Sequence, residues 1–233
     1  MDALIEYRGL LVEGALVTLQ LALGSLALAV LMGIAGATAR LSHSAFARWL
    51  AGAYTTLIRG VPELVLLLLL YFGGQSLVTM VARWLGARTV EVDAFASGMV
   101  AIGVIYGAYL TEVFRGAYLA VPAGQIEAGR ACGMGRLLLF RRIVLPQVLH
   151  HALPGFTNTW LVQIKATALV SIVGVEDLVY NAYAAGRAVR QPFTFIFVVL
   201  VAYLVLTAAS ELALRWVERR WGHHGARVAV RGA

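Results

Sequence analysis

Residues 127–146 read EAGRACGMGRLLLFRRIVLP, with four arginines, three glycines and a single acid, Glu127. The stretch is too charged to lie in lipid and too apolar for an ordinary solvated loop. Its punctuation predicts two short helices at a bend. Pro122 suits the first turn of a helix, and Glu127 in its early turns favours the positive end of the helix dipole. Gly133 ends that helix, and a second helical stretch, 136–145, ends before Pro146. Leu137, Leu138, Phe140, Ile143 and Val144 make a greasy side towards a bundle; Arg136, Arg141 and Arg142 make a basic side towards water. These residues alone allow two readings. One is a membrane-surface helix held by anionic lipid, and the other is a rigid helix-Gly-helix elbow that projects to a soluble partner.

What flanks the stretch decides the fold class. The 233 residues are 61% apolar and 13% charged, against about 45–50% and about 25% in a soluble domain. Only helices or closed barrels satisfy a backbone in lipid, and the apolar runs are too long for the roughly 10-residue alternation of a barrel. The expected fold is all-α integral membrane, a single transmembrane domain over residues 1–233. Five segments can each cross about 30 Å of hydrocarbon, at approximately 11–39, 50–74, 94–114, 152–173 and 193–214. The first is expected to be a retained span and not a signal peptide despite the small run Ala37-Thr38-Ala39, because its leader (Asp2, Glu6, Arg8, Glu13) is acidic and its apolar stretch is about twice a normal signal core.

Eighteen of the 19 basic residues are Arg. Between spans, Lys and Arg sum to 12 on one side and 5 on the other, which predicts N-terminus out and C-terminus in, with loop 115–151 the richest cytoplasmic segment. The net charge of +7 follows from that orientation. No basic face with interleaved aromatics points to nucleic acid. Cys132 is the only cysteine and has no metal-ligand spacing around it. His150-His151 and His223-His224 are adjacent pairs that do not share a helix face, so no metal site is expected.

Charge inside the membrane costs at least ~2.5–3.5 kcal/mol and needs a reason. Arg59 and Glu63 are spaced i,i+4 across Gly60-Val61-Pro62, Glu112 and Arg115 are spaced i,i+3, and Lys165 stands without a nearby acid. Each pair either neutralises itself at a helix end or lines a translocation path, where a zwitterion needs an acceptor for its ammonium and a donor for its carboxylate. Pro62 and Gly73-Gly74 predict a broken or kinked second span, tolerated only where protein or a cavity faces it. Gly24, Gly33, Gly36, Gly103 and Gly107 predict close helix contacts. Glu176-Asp177 reads as a pair of exposed acids on the outer side. Five spans leave little room for a sealed pathway, so a second subunit or a homodimer is expected. An intramembrane hydrolase is excluded, because the spans contain neither His nor Asp.

Glu127-Ala128-Gly129, three residues, Gly133, nine residues, then Ile143-Val144-Leu145-Pro146 is similar to the EAA-x3-G-x9-I-x-L-P loop of ABC importer permeases, with Gly129 in place of the usual Ala. TTLIRGVPELVLLLL (55–69), IYGAYLTEVFRGAYLAVP (105–122) and IKATALVSIVGVEDLV (164–179) resemble the polar amino-acid permeases of the type I importer fold. The resemblance covers roughly residues 10–220 and points to the histidine/lysine/arginine/ornithine permease branch, with opine permeases as neighbours. Many relatives read Lys-Asp-Thr where this chain has Lys165-Ala166-Thr167.

The resemblance implies that the loop is a cytoplasmic coupling helix, seated in a cleft of a separate ATP-hydrolysing subunit, with Glu127, Ala128, Gly129, Gly133, Ile143, Leu145 and Pro146 as the coupling residues. It implies import of polar, basic amino acids by alternating access across a bacterial inner membrane, with Arg59, Glu63, Glu112 and Lys165 along the substrate path. The implied partners are two copies of the ATPase, which hold ATP and Mg, a second homologous permease or a second copy of this chain, and a periplasmic binding protein at 174–192. The chain has no G-x-x-x-x-G-K-[ST] phosphate loop, so no catalytic residue, cofactor or enzymatic activity of its own is expected. An opine or other polar amino-acid permease, or a non-translocating scaffold subunit, is the alternative.

Overall fold

A computed structural model describes residues 2–86 and 92–222, and every regular element among them is helical. A short α1 (Asp2–Glu6) leads into α2 (Arg8–Leu41), followed by α3 (Ala45–Gly60), α4 (Glu63–Trp84) and α5 (Ala94–Leu119). The elbow region holds α6 (Ala123–Ala131), α7 (Arg136–Leu139) and a π turn (Phe140–Val144). The chain continues through α8 (Leu145–Ala166) and a 3-10 segment (Thr167–Val173), then α9 (Leu178–Ala188) and α10 (Pro192–Gly222). Arg88, His223-His224, Arg227 and Arg231 lie outside the described residues.

Four helices, α2, α4, α5 and α10, are long and apolar enough to cross a membrane. α2 alone runs about 51 Å, well beyond the hydrocarbon thickness. The span expected at 50–74 is divided. Val61 is extended (φ −117°, ψ 142°), as the residue before a proline tends to be, and α4 starts after Pro62. Residues 50–60 thus belong to α3, and α4 runs unbroken through Gly73-Gly74. The segment expected at 152–173 begins earlier, at Leu145, and its last turns tighten to 3-10 before Gly174 (φ +87°) stops it. The third span is longer than expected, so Arg115 is helical and not in a loop.

α5 forms the centre of the bundle. Leu21 of α2, Leu67 of α4, Ile105, Tyr106 and Leu110 of α5, and Val170 form its buried core. Lipid supplies no hydrophobic drive between helices, so close backbone approach matters more there. A methyl at Gly103 would lie 2.7 Å from Leu28 Cδ2, and one at Gly107 would lie 2.6 Å from Met32 Cβ. The predicted small-residue contact is therefore the α2–α5 seam. α4 and α10 leave apolar faces uncovered, with Val65, Leu69, Phe72, Leu200 and Leu204 exposed.

Hydrogen bonds pin the rest, since no water reaches these groups. Gln163 Nε2 donates to Ser25 Oγ at 2.9 Å, joining α8 to α2. The Leu178 amide donates to Thr18 Oγ1 at 3.1 Å, fixing α9 against α2. Of the two acids expected to be exposed, only Glu176 is exposed; Asp177 is fully buried. Its Oδ1 accepts from the Tyr180 amide at 2.9 Å and caps α9. Burial pushes its carboxyl up to about 6. The local reading failed because a cap facing inward and a solvated acid look alike in sequence.

Candidate functional site

The elbow is built from local rules. α6 ends in a Schellman motif: the Gly133 amide donates to Arg130 O at 2.9 Å and the Met134 amide to Gly129 O at 3.1 Å. Gly133 sits at φ +77°, where a side chain is strained. The chain then folds back so that Leu139 and Ile143 close on Gly129, which is buried. A methyl there would meet Leu139 Cδ1 at 2.5 Å and Ile143 Cδ1 at 2.7 Å. Gln147 Nε2 braces the fold by donating to Gln125 Oε1 at 2.7 Å and to Ile143 O at 2.8 Å.

The second stretch does not stop before Pro146. It passes through the π turn, in which the Leu145 amide donates to Phe140 O, and continues as α8. Pro146 has no N–H to give to the turn below and its ring crowds that turn, so the wider π turn accommodates it. The greasy side also differs from expectation. Leu139 and Val144 are the buried residues, whereas Leu137 is 71% exposed beside exposed Arg136, Arg141 and Arg142. Glu127, Ala128 and Pro146 are exposed, Ile143 and Leu145 half-buried. Cys132 is exposed and unpaired.

A second feature is an open polar cavity of about 460 Å³ between α2, α3 and α5, lined by Arg40, Thr55, Thr56, Arg59, Tyr109 and Glu112. Glu112 Oε2 accepts from Arg115 Nε at 2.8 Å. Its Oε1 faces Arg40 Nε at 3.4 Å, an ion pair without a well-formed hydrogen bond. Glu112 thus ties the end of α2 to α5. Arg59 and Glu63 do not pair, because the extended Val61-Pro62 link breaks the helical register that i,i+4 contact requires. Arg59 is exposed and lies over the Tyr109 ring, 5.6 Å from its centroid. Glu63 is half-buried and accepts from Tyr106 Oη at 3.0 Å. Tyr54 Oη donates to Val104 O at 2.5 Å and holds α3 against α5.

Lys165 is exposed in the last turn of α8 and makes no ion pair among the described residues. The structure therefore brings Arg59 and Glu112 to one cavity, puts Glu63 at the helix break beside it, and leaves Lys165 elsewhere. Sequence reasoning missed Arg40, Tyr109 and Tyr106. Arg40 counted only as a loop charge, although its place in the last turn of a span facing a half-buried acid gives it a partner.

A bundle of membrane-length helices with a stiff elbow at one end and a polar cavity within is the architecture of a membrane transport component. Residues 19–223 match the model of the family described as binding-protein-dependent transport system inner membrane component, and the chain belongs to that family. Among its relatives, the histidine/lysine/arginine/ornithine transport system permease protein HisQ of Escherichia coli (strain K12) is 45% identical over 218 residues, covering 94% of this chain and 96% of that protein. The octopine transport system permease protein OccQ of Rhizobium radiobacter is 43% identical over 204 residues, covering 87% and 86%. A crystal structure of an amino acid ABC transporter with histidines superposes with a TM-score of 0.80 at 30% identity, covering 93% of this chain and 96% of that one. The methionine ABC transporter MetNI, at 21% identity and a TM-score of 0.72, shares the fold.

Proposed function

We propose that this chain is the translocating subunit of an importer of basic amino acids, a single transmembrane domain of the bacterial inner membrane with its elbow in the cytoplasm. A separate ATPase, in two copies, binds ATP and Mg and drives it. A second, homologous permease completes the path, and a periplasmic binding protein delivers substrate on the α9 side. The relatives with 38–46% identity that carry histidine, lysine, arginine or ornithine in their names support the substrate class.

The observation that carries the mechanism is the rigid elbow. Its cap at Gly133 and the Gln147 brace to Gln125 leave little slack between the exposed Glu127 and the helix that enters the bundle. Displacement of the ATPase clefts is then passed on as rigid-body movement. Glu127, Ala128 and Gly129 face or support the ATPase contact, while Gly133, Ile143, Leu145 and Pro146 set the angle of the elbow.

Within the path, the charges divide the work. Glu112 already serves two arginines, so it holds the cavity together and is not free for an ammonium. Arg59 lies over a ring and within electrostatic reach of Glu112 without forming a salt bridge to it, and is placed to donate to the substrate carboxylate. Glu63 has a hydroxyl donor but no cation paired with it among the described residues, and is placed to accept an ammonium. Lys165, exposed on a helix that lipid would penalise, faces the second permease.

The test is ATP hydrolysis and arginine uptake by the assembled complex in proteoliposomes with its binding protein. Glu127→Ala is expected to abolish stimulation of hydrolysis by arginine while the subunits still co-purify. Glu63→Gln is expected to lower arginine uptake at least about ten-fold, the loss of one charge-assisted contact. Full stimulation in Glu127→Ala would refute the coupling role, and unaltered uptake in Glu63→Gln would remove Glu63 from the path.

A further inference from the structure

A cavity of about 510 Å³, separate from the polar one, opens between the elbow-side halves of α2 and α8 over the end of α5. Val30, Ile34 and Leu41 of α2, Phe114 of α5, and Leu149 and Phe156 of α8 line it. Tyr118 and Thr38 bring the only hydroxyls to this lining, and Thr38 Oγ1 already donates to Ala35 O at 2.8 Å; no charged group lines it, so neither an amino acid nor a nucleotide suits it. α2 and α5 are long and apolar enough to cross a membrane, and α8 packs beside both. A groove between such helices meets either lipid or another helix.

The mouth discriminates between these occupants. Phe140 lines the cavity at its elbow end, and Arg141 and Arg142 follow it in the same π turn. Both arginines are exposed and form no ion pair among the described residues. Together with Arg136 they border a recess of their own, next to Phe140 in the chain. An apolar slot flanked at one end by a turn with two unpaired cations is complementary to a molecule with an alkyl chain and an anionic head. An apolar helix from a second subunit would fill the slot but leave the arginines without a counter-charge.

We infer that the α2–α8 groove is a binding site for an anionic phospholipid of the elbow-side leaflet, with one acyl chain in the groove and the phosphate at Arg141 and Arg142. This goes beyond the transport reading and does not depend on which amino acid is carried. The site gives the two arguments about the 127–146 stretch a common answer: one end of it meets the ATPase and the other holds lipid.

The test uses the assembled complex in nanodiscs doped with phosphatidylglycerol or phosphatidylcholine that carry the same diazirine-bearing acyl chain. After irradiation, adducts are mapped by peptide mass spectrometry. Phosphatidylglycerol is expected to label peptides covering 34–41 and 148–156 about ten-fold more than phosphatidylcholine. Replacing both arginines by Gln (R141Q/R142Q) is expected to bring the two lipids level. Leu149→Trp, which fills the groove and leaves the arginines in place, is expected to remove groove labelling by both lipids while α10 stays labelled. Equal labelling of the groove by both lipids in the wild-type complex would overturn the inference. So would adducts confined to α4 and α10, or a second permease found cross-linked in the groove in place of lipid. If R141Q/R142Q does not assemble, the head-group preference and the Leu149→Trp result decide the matter alone.

Discussion

The elbow and the polar cavity lie in the same chain but are assembled by opposite means. Every contact that shapes the elbow joins residues within about two dozen positions, from Gln125 to Gln147. The cavity is made by Arg40, Arg59 and Glu112, which come from three helices far apart in sequence. The elbow is also closed by backbone hydrogen bonds and packing, whereas the cavity is held by ion pairs with partly exposed side chains. On the proposed reading, stiffness is thus concentrated where force enters, and adaptable polar groups where cargo passes.

The sharpest way to break this contrast is Gly133→Pro. Proline fixes φ near −65°, far from +77°, and deletes the amide that reaches Arg130 O. Substrate-stimulated ATP hydrolysis is expected to vanish, measured on complexes that still contain the ATPase; retention of coupling would show that the elbow is not stiff. The cavity should be more forgiving. Arg40→Gln leaves Glu112 with Arg115, and at these exposures the expected cost is about 1 kcal/mol. A fall in melting temperature of a few degrees with transport largely kept would fit; loss of folding would mean the cavity is as rigid as the elbow.

Asp177 allows a comparison at the opposite end of the molecule. Its carboxyl titrates near 6 in the folded protein, above the ordinary 3.8. The folded state therefore binds the proton more tightly, and this group's contribution to stability is full below about pH 4 and is lost as pH rises through 6. The loss is on the order of 3 kcal/mol. Asp177→Asn keeps a capping oxygen and should flatten the dependence, seen as equal melting temperatures at pH 4.5 and 7. A wild-type protein that is more stable at pH 7 than at pH 4.5 on this account would contradict it. The smallest effect is expected for Gly129→Ala. The added methyl meets the flexible ends of Leu139 and Ile143 and, at ordinary contact distance, Met134 Sδ, so the elbow should absorb it with stimulated hydrolysis reduced less than about two-fold. A collapse of coupling would show that this elbow has no slack at all.

What could be read from the sequence follows the same division. The elbow's turn was legible at Gly133, and the break at Pro62, because each is imposed by the conformational limits of one residue. The apolar runs gave the helices, though not their ends. Arg59 and Glu63 look like a pair at i,i+4, yet the proline between them removes the register on which the pairing rests. Arg40 beside Glu112 was invisible, since nothing local couples residues on different helices. Asp177 did carry a legible signal, an Asp directly before the run Leu178-Val179-Tyr180, which is the pattern of an N-cap. Its position after another acid concealed that.

The helical run from Arg136 to Val173 passes without a non-helical residue through α7, the π turn, α8 and the 3-10 segment. Its length is on the order of 55 Å, nearly twice the hydrocarbon thickness. The run is therefore a single strut that starts at the elbow and finishes beside Gly174 and the cap of α9. Pro154 removes one N–H inside α8, and with the π turn it marks where the strut can bend. On the proposed reading, tilting the elbow end swings the far end to the extent that these points stay straight, so that the two faces of the membrane share one mechanical coordinate.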